Sequence, residues 1–560
     1  MPTEFAALRS TASADGGDEN VSGVVADTVV RGGRIWCGRG AGTVRAVASF
    51  AGRVLATGGD ELDALIGPAT RVVDLDGRFA APGLHDAHLH LLPLGLAMGE
   101  LDLRPAAAPT LDALLATVRG EAARRPAGTW VLGRGYDHFK LDVQRHPTRH
   151  ELDAAAPDHA VYLTRACGHL AVCNSLALER AGITAATPAP PGGLIEVADG
   201  ELTGLIAEGA REFVKAALPE PSGAELVDAI ARAGAHCATF GITSVMDAAV
   251  GMRAGLDEIA AYHRARREGR LPVRVDMCLM GGEHGIVERC FEAGLVTGTG
   301  DDELRVGPVK LFTDGSAGGR TAAMRAPYVD GGHGLLTFAD EVLDGLVRDY
   351  HARGYQLALH AIGDAAIEQV LNAYDKALAA VPRSDHRHRI EHCGFVDDQQ
   401  IRRLVALGVQ PVPQPVFMHD FGDLYVELLG RDRAAAAYPM RRWLNAGLTP
   451  AASTDCPVSD CDPFVNLHTM RTRRTDGGAV LGGQEALGAE EALAAYTESG
   501  AYVAHAEHAK GRLERGRLAD LAVFDTDLVR ADADAVRAAR CELTLKGGAV
   551  TFDRGGLAGA

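Results

Sequence analysis

Short apolar segments alternate with amphipathic segments along most of the chain. Two of the intervening segments, residues 339–354 and 364–381, carry apolar residues three and four positions apart, which is typical of helices that bury one face. The segments expected to be strands are residues 81–90, 241–248, 271–280, 306–314, 356–362, 389–394, 408–415 and 448–457. Eight strands alternating with helices predict an α/β fold, a closed (β/α)8 TIM-like barrel.

The two chain ends have a different sequence pattern, in which β-branched runs alternate with glycine turns. We expect residues 24–80 and 513–556 to form one composite β-sandwich, with the barrel in residues 81–512 and a disordered tail in residues 1–23. The interval between the first two predicted strands is far longer than one crossover helix needs. We therefore expect a large insertion after strand 1, at about residues 95–235, that roofs the barrel mouth and shapes a substrate pocket.

Composition narrows the range of partners. The 560-residue chain has a net charge of −18 at neutral pH, which disfavours nucleic acid and anionic membranes. No apolar run is long enough to span a bilayer. The ten cysteines show no C-x-x-C pair or disulfide framework, so we expect reduced thiols and a cytoplasmic protein. The expected partner is a small-molecule substrate, and a homodimer is left open.

Six residues of metal-ligand type occur at or near the ends of predicted strands. His88 and His90 are two positions apart on the first strand, so their side chains share one face. The other four candidates are Lys310, His360, His392 and Asp455. Because functional groups of such barrels collect at the carboxyl ends of the strands, we expect these side chains to meet. Imidazole nitrogen and carboxylate oxygen suit zinc and similar divalent ions, and no thiolate set indicates a closed structural site.

Each candidate also has a purely structural interpretation. Lys310 has no metal-binding lone pair as an ammonium group, but a buried amine between two cations can react with carbon dioxide to form a carbamate. Alternatively, it could be a buried lysine paired with Asp314. His360 could cap the following helix, His392 could be a core histidine, and Asp455 could cap the next segment. Their shared position at strand ends favours ligation.

Ten stretches of the chain together resemble the amidohydrolase superfamily, in particular the metal-dependent branch that includes N-substituted formamide deformylases. They are "APGLHDAHLHLL", "GRGYDHF", "LTRACGHLAVCNS", "GITSVMDA", "VKLFTDGSAGGRTA", "LHAIGDAAIEQVL", "RIEHCG", "YPMRRWLNAG", "ASTDCPV" and "KGRLERGRLADLAVFD". These stretches lie within residues 26–555, which is almost the whole chain. The combination is specific to the family, although no single stretch is.

The resemblance implies a role for each candidate ligand. His88 and His90 resemble ligands of a first metal, Lys310 an N-carboxylated lysine that bridges two metals, His360 and His392 ligands of the second, and Asp455 a ligand of the first that also shuttles a proton. Two divalent ions, with zinc expected, would activate a water for attack on an amide or formamide carbonyl. The implied enzyme is a hydrolase of a carbon–nitrogen bond other than a peptide bond, with Asp455 and Lys310 as its catalytic residues.

Other residues and functions are secondary candidates. His169 and Tyr136 in the insertion and Arg320 after the fourth strand are candidate substrate-binding residues, with packing or solvent-facing roles as the alternatives. A mononuclear metal deaminase on the same barrel, with Lys310 unmodified, is the alternative enzyme. A non-catalytic relative that uses the barrel as a scaffold is the alternative from a different class. Retention of all six candidate ligands argues against it.

Overall fold

The computed structural model describes residues 24–166, 170–190 and 193–559. The predicted tail at residues 1–23 and the candidate His169 lie outside the described residues. The strands, in chain order, are β1 (Thr28–Gly38), β2 (Gly42–Phe50), β3 (Arg53–Gly58), β4 (Arg71–Asp74), β5 (Phe79–Pro82), β6 (Leu84–Leu89), β7 (Leu101–Asp102), β8 (Trp130–Tyr136), β9 (Ala160–Arg165), β10 (Leu170–Cys173), β11 (Leu194–Ala198), β12 (Glu201–Ala207), β13 (Ile242–Val250), β14 (Arg274–Met280), β15 (Leu304–Phe312), β16 (Leu357–Ala361), β17 (Arg389–His392), β18 (Gln410–Val412), β19 (Leu521–Phe524), β20 (Cys541–Lys546) and β21 (Ala549–Asp553).

The α-helices lie mainly between the strands of the barrel and within the insertion. In chain order they are α1 (Leu91–Ala97), α2 (Leu111–Ala122), α3 (Arg149–Ala155), α4 (Ser175–Arg180), α5 (Arg211–Ala217), α6 (Gly223–Ala238), α7 (Leu256–Arg267), α8 (Val287–Glu292), α9 (Asp340–Ala352), α10 (Asp364–Ala380), α11 (Asp398–Leu407), α12 (Phe417–Asp420), α13 (Gly422–Leu429), α14 (Arg431–Ala436), α15 (Met440–Asn445), α16 (Pro463–Thr472), α17 (Ala489–Ala495), α18 (Glu498–Val503) and α19 (Ala533–Arg537). Across the described residues, no helix combines the length and apolarity that a membrane crossing requires.

The predicted parallel barrel is confirmed, with one difference in its last strand. Seven parallel strands follow the order β18-β17-β16-β15-β14-β13-β6. Residues 448–457, predicted as the eighth strand, have no regular ladder, and residues 455–457 lie in a turn. They still close the ring through backbone bonds, from Ala451 N to Pro411 O and from Ala87 N to Ala452 O, both 3.4 Å. Prolines at 411, 413, 450 and 457 lack the N–H groups that a regular ladder needs.

The apolar sequence of the strands explains why this part of the chain forms a buried parallel sheet. β13 is buried along its whole length, as expected for a strand covered on both faces. α6, which leads into β13, begins with a capping box in which Ser222 and Glu225 satisfy each other's backbone N–H groups. The packed strands and helices place the loops that follow each strand at one end of the barrel.

The β unit expected from the two chain ends is also confirmed. Its strands join in one sheet of order β21-β20-β19-β5-β1-β2-β3, with β4 paired to β1. Ile35, Val47 and Leu543 are among the residues of its apolar core. A buried ion pair fixes the sheet to the barrel, because Arg274 of β14 donates to both carboxylate oxygens of Asp520 at 2.7 and 2.9 Å.

The long interval between β6 and β13 contains a separate sheet. Its strands follow the order β11-β12-β10-β9-β8-β7, with parallel pairing from β7 to β9 and antiparallel pairing elsewhere. Helices α2 to α5 accompany it, and Leu114, Val131 and Leu163 lie in one of its apolar cores. The domain boundaries and the covering role expected for the insertion stay predictions.

Candidate metal centre

The end of β6 and the turn at Asp455, within the stretch predicted as the eighth strand, bring three ligand atoms together. Asp455 N donates to His88 O at 2.8 Å, which fixes the two segments side by side. Oδ1 of Asp455 lies 3.1 Å from Nε2 of His90 and 3.4 Å from Nε2 of His88. One ligand atom from each of the three residues lies within 4.8 Å of the other two. This spacing allows all three to contact one ion.

The backbone of Asp455 has an uncommon conformation. Its φ of +58° lies in the left-handed region, a strained conformation that occurs preferentially at functional sites. Thr454, the preceding residue, donates its hydroxyl to Asp86 at 2.6 Å, which ties the segment to β6. Burial raises the pKa of Asp86 to about 7, although its hydrogen bonds with Thr454 oppose the shift.

The donor set is of a kind that fits a cation. Oδ1 of Asp455 is buried and accepts no hydrogen bond from the described residues, although two imidazole nitrogens lie close to it. Burial raises the pKa of Asp455, but the imidazoles of His88 and His90 outweigh this effect and hold the pKa well below its usual range. A buried carboxylate oxygen facing two nitrogen lone pairs suits a divalent ion of the zinc type.

The other two histidines adjoin this group. The ring of His392 lies 5.2 Å from that of His88 and 4.4 Å from that of His360, measured between centroids. His392 has a φ of +68°, and burial, with the nearby His360, pushes its pKa well below the usual value. Nδ1 of His360 is buried and has no hydrogen-bond partner among the described residues. A neutral, unpartnered imidazole nitrogen is the form that binds a metal.

Lys310 completes the cluster from β15. Its side chain is fully buried, and Nζ lies 3.4 Å from Nε2 of His88 and 4.7 Å from the ring centre of Phe312. Burial lowers its pKa, against the opposing attraction of Glu391. Within the described ranges no carboxylate oxygen lies within 4.0 Å of Nζ. A buried lysine without a close acid is an unusual feature that calls for a chemical explanation.

The structure assigns a different role to Asp314, the residue considered as the partner of Lys310. Its carboxylate accepts backbone N–H groups from Ala323, Ile362 and Gly363 at 2.8–3.0 Å. It also lies 3.2 Å from Nε2 of His360. Asp314 therefore holds the loops after β15 and β16 together, and the proposed Lys310–Asp314 pair does not form.

Sequence analysis missed the residues that orient the histidines. Nδ1 of His88 contacts Oε2 of Glu391, whose carboxylate accepts two bonds from Arg389 at 2.8 and 2.9 Å. Burial raises the pKa of Glu391, but Arg389 and His88 together lower it below its usual range. Oε1 of Gln414 lies 2.6 Å from Nδ1 of His392. These contacts fix the orientation of both rings, and Nε2 of His88 faces Lys310 and Asp455.

The six predicted ligands are therefore brought together at one end of the barrel, whereas the secondary candidates have other contacts. Tyr136 is fully buried in the core of the insertion, and its hydroxyl lies 2.9 Å from Nδ1 of His146. Arg320 is half exposed and forms an ion pair with Asp330. A role in substrate binding stays a prediction for both residues.

Comparisons with known proteins agree with this arrangement. The sequence profile of the amidohydrolase family matches residues 71–552. The putative amidohydrolase YtcJ of Bacillus subtilis is 30% identical, over 87% of this chain and 91% of its own. N-substituted formamide deformylase of Arthrobacter pascens is 30% identical, over 91% of this chain and 95% of its own. The crystal structure of an uncharacterized metal-dependent hydrolase from Pyrococcus horikoshii superposes with a TM-score of 0.75 at 28% identity, covering 90% of this chain and 99% of the other.

Proposed function

The chain belongs to the amidohydrolase family, and from this premise we propose that it is a metal-dependent hydrolase of a carbon–nitrogen bond in a small amide or formamide. One observation carries the proposal. Ligand atoms of His88, His90 and Asp455 lie within 4.8 Å of one another at the end of the barrel, with three further donor side chains beside them. The similarity to a formamide deformylase along nearly the whole chain supports the choice of bond.

The six residues divide into two sets of ligands. His88, His90 and Asp455 would hold one divalent ion, and His360 and His392 would hold a second, with N-carboxylated Lys310 between the two sets. Zinc is the expected metal, because nitrogen and oxygen donors of this kind suit it. When bound, the ions supply Lewis acidity that polarises a carbonyl group and lowers the pKa of a water molecule.

The proposed part of Asp455 is proton transfer. Its ionised carboxylate accepts a proton from the attacking water and passes it to the departing amine nitrogen. The contacts of Thr454 with Asp86 and of Asp455 N with His88 O hold the carboxylate in place during both transfers. A fixed position matters because proton transfer requires hydrogen-bond distance at each step.

Carboxylation of Lys310 has its own support. The Lys310 amine is fully buried and close to His88, and burial lowers its pKa. The lowered pKa favours the uncharged amine, which is the nucleophilic form. Asp314 is the acidic residue nearest to Lys310 in the sequence, but its carboxylate already accepts hydrogen bonds from backbone N–H groups. The amine would attack carbon dioxide and release a proton to solvent, and the resulting carbamate would supply the oxygen donors that an ammonium group lacks.

The test is hydrolysis by the metal-loaded protein. Protein stripped with a chelator, and the same protein reloaded with zinc, are assayed against N-formyl amines, N-acyl amino acids and cyclic amides while the released amine is measured. The proposal predicts turnover of one class only after reloading, and its loss in His90→Asn. Ammonia release from an aminated heterocycle, with one metal at the barrel centre, would instead identify the mononuclear deaminase. Hydrolysis by the stripped protein would refute metal dependence.

A further inference from the structure

A second group of ligand-type side chains lies outside the barrel centre. It consists of His236 in the last turn of α6 and of Asp460 and Cys461 in the segment between Asp455 and α16. One ligand atom from each lies within 4.8 Å of the other two. Imidazole nitrogen, carboxylate oxygen and thiolate sulfur form a mixed donor set that soft and borderline divalent ions prefer.

Two further thiols lie near the sulfur of this group. The Cys461 side chain is fully buried, and the thiol of Cys237 raises its pKa while that of Cys456 opposes the rise. Cys237 follows His236 on α6, and Cys456 follows Asp455. These three cysteines come from two separate segments, the end of α6 and the loop before α16. Among the described residues, Cys461 is the cysteine whose sulfur belongs to the three-residue group, so it is the expected sulfur ligand.

The charge and accessibility of the group also favour a cation. Asp460 is exposed and His236 is partly exposed, so an ion can enter from solvent. Asp462 adds a second carboxylate, and its pKa is raised by burial and by the charge of Asp460. Arg104 interacts electrostatically with Asp460, but its guanidinium is already bound to Asp102 at 2.7 and 2.9 Å. The exposed carboxylate of Asp460 therefore contributes a negative charge that a bound cation would neutralise.

We propose that His236, Asp460 and Cys461 form a second binding site for a thiophilic divalent cation such as Zn²⁺, separate from the barrel centre. On binding, the ion displaces the Cys461 proton into solvent and forms a metal–sulfur bond. The loop that carries this site adjoins the barrel centre, because Cys456 O accepts the N–H of His90 at 2.8 Å. One loop therefore carries residues of both sites. The second site contains a sulfur donor and the barrel centre does not. An experiment that detects metal–sulfur bonds can therefore distinguish the two sites.

Cobalt substitution tests the proposal without reference to any reaction. The full-length protein is stripped and titrated with Co²⁺ while thiolate-to-cobalt charge-transfer absorption is recorded in the near ultraviolet. The barrel centre has only nitrogen and oxygen donors, so it gives no such band. The proposal predicts a band whose final intensity corresponds to one thiolate-bound cobalt ion per chain, whatever cobalt the barrel centre also binds, and which disappears in Cys461→Ser. Since the readout is not activity, it can fail independently of the proposed function.

Two variants and one control complete the design. His236→Gln and Asp460→Asn change groups that reach solvent, so folding should not be at risk. Loss of an outer-shell partner already weakens metal binding about tenfold, and loss of either ligand should weaken cobalt binding at least as much. Cys290→Ser removes a buried thiol of α8 outside the group and should leave the band unchanged. No band in the parent protein, or an unchanged band in Cys461→Ser, would overturn the proposal.

Discussion

Replacing Glu391 by Gln should weaken both the fold and metal binding, because this carboxylate joins Arg389 to His88. All three side chains are fully buried or nearly so. The carboxylate accepts two hydrogen bonds from Arg389 and contacts Nδ1 of His88. Gln has the same shape but no charge and only one acceptor oxygen, so at least one of these donors loses its partner.

The expected size of the effect follows from these contacts. Removal of one partner from a buried ion pair costs about 3–5 kcal/mol, because the remaining charge is left uncompensated. The free energy of unfolding should fall by that amount in Glu391→Gln. Loss of a carboxylate that orients a ligating histidine typically weakens metal binding about 10–100-fold. We expect zinc affinity to fall within this range, since His88 loses the acceptor that fixes its tautomer.

Urea unfolding and competition with a zinc chelator measure the two quantities. Glu201→Gln is the matched control, because Glu201 bonds Arg149 at 2.7 Å but its side chain is 69% exposed. An exposed pair contributes at most about 1 kcal/mol, so the control should resemble the parent protein in both assays. Equal stability and equal zinc affinity in Glu391→Gln and the parent would refute the orienting role.

A double variant separates the two roles of Glu391. Arg389→Met with Glu391→Leu removes both buried charges together, and such replacements are often neutral or stabilising. The free energy of unfolding of the double variant should exceed that of Glu391→Gln. It should stay somewhat below the parent value, because the hydrogen bond that Arg389 donates to Ala87 O is lost. Zinc affinity should stay low, because Nδ1 of His88 still lacks its acceptor. Recovery of zinc affinity in the double variant would contradict the assignment.

The remaining predictions concern three other groups. Lys310→Ala should lose bound metal, as measured by elemental analysis, and short carboxylic acids should restore part of it; full metal content without them would exclude the bridging carbamate. Asp455→Asn should keep much of the metal yet lose turnover by at least about 10²-fold, and unchanged turnover would remove it as the proton carrier. Burial, with Arg383 and His351 nearby, lowers the pKa of His386 to about 4. Because the unfolded chain then binds more protons between about pH 6.5 and 4, His386 should reduce stability as the pH falls through this window, and His386→Gln should flatten the slope of urea-unfolding free energy against pH.

The order of the elements and the six candidate ligands could be predicted from sequence because each depends on local pattern. Strand parity places His88 and His90 on one face, and the end of an apolar run marks Lys310 and His392. Closure of the barrel could not be predicted in detail. Whether a proline-containing segment such as residues 448–457 forms a regular strand depends on where its neighbours offer N–H groups, which is a tertiary property.

The supporting residues could be found only in part. Arg389 and Glu391 have opposite charges two positions apart in a short buried strand, so the sequence held a signal that they pair inside the barrel. Nothing local connects Glu391 with His88, which is 303 positions away in the chain. Likewise, the cluster of Cys461 with His236 depends on how α6 packs against the segment after Asp455, and no spacing in the sequence indicates it.

Zinc-edge anomalous diffraction from crystals of the metal-loaded protein tests the central claim most directly. The account predicts an anomalous peak about 2.0–2.2 Å from Nε2 of His88, Nε2 of His90 and a carboxylate oxygen of Asp455. A neighbouring peak should lie beside His360 and His392, with density for a carbamate on Lys310. Metal-loaded crystals without a peak at the first three residues would contradict the account.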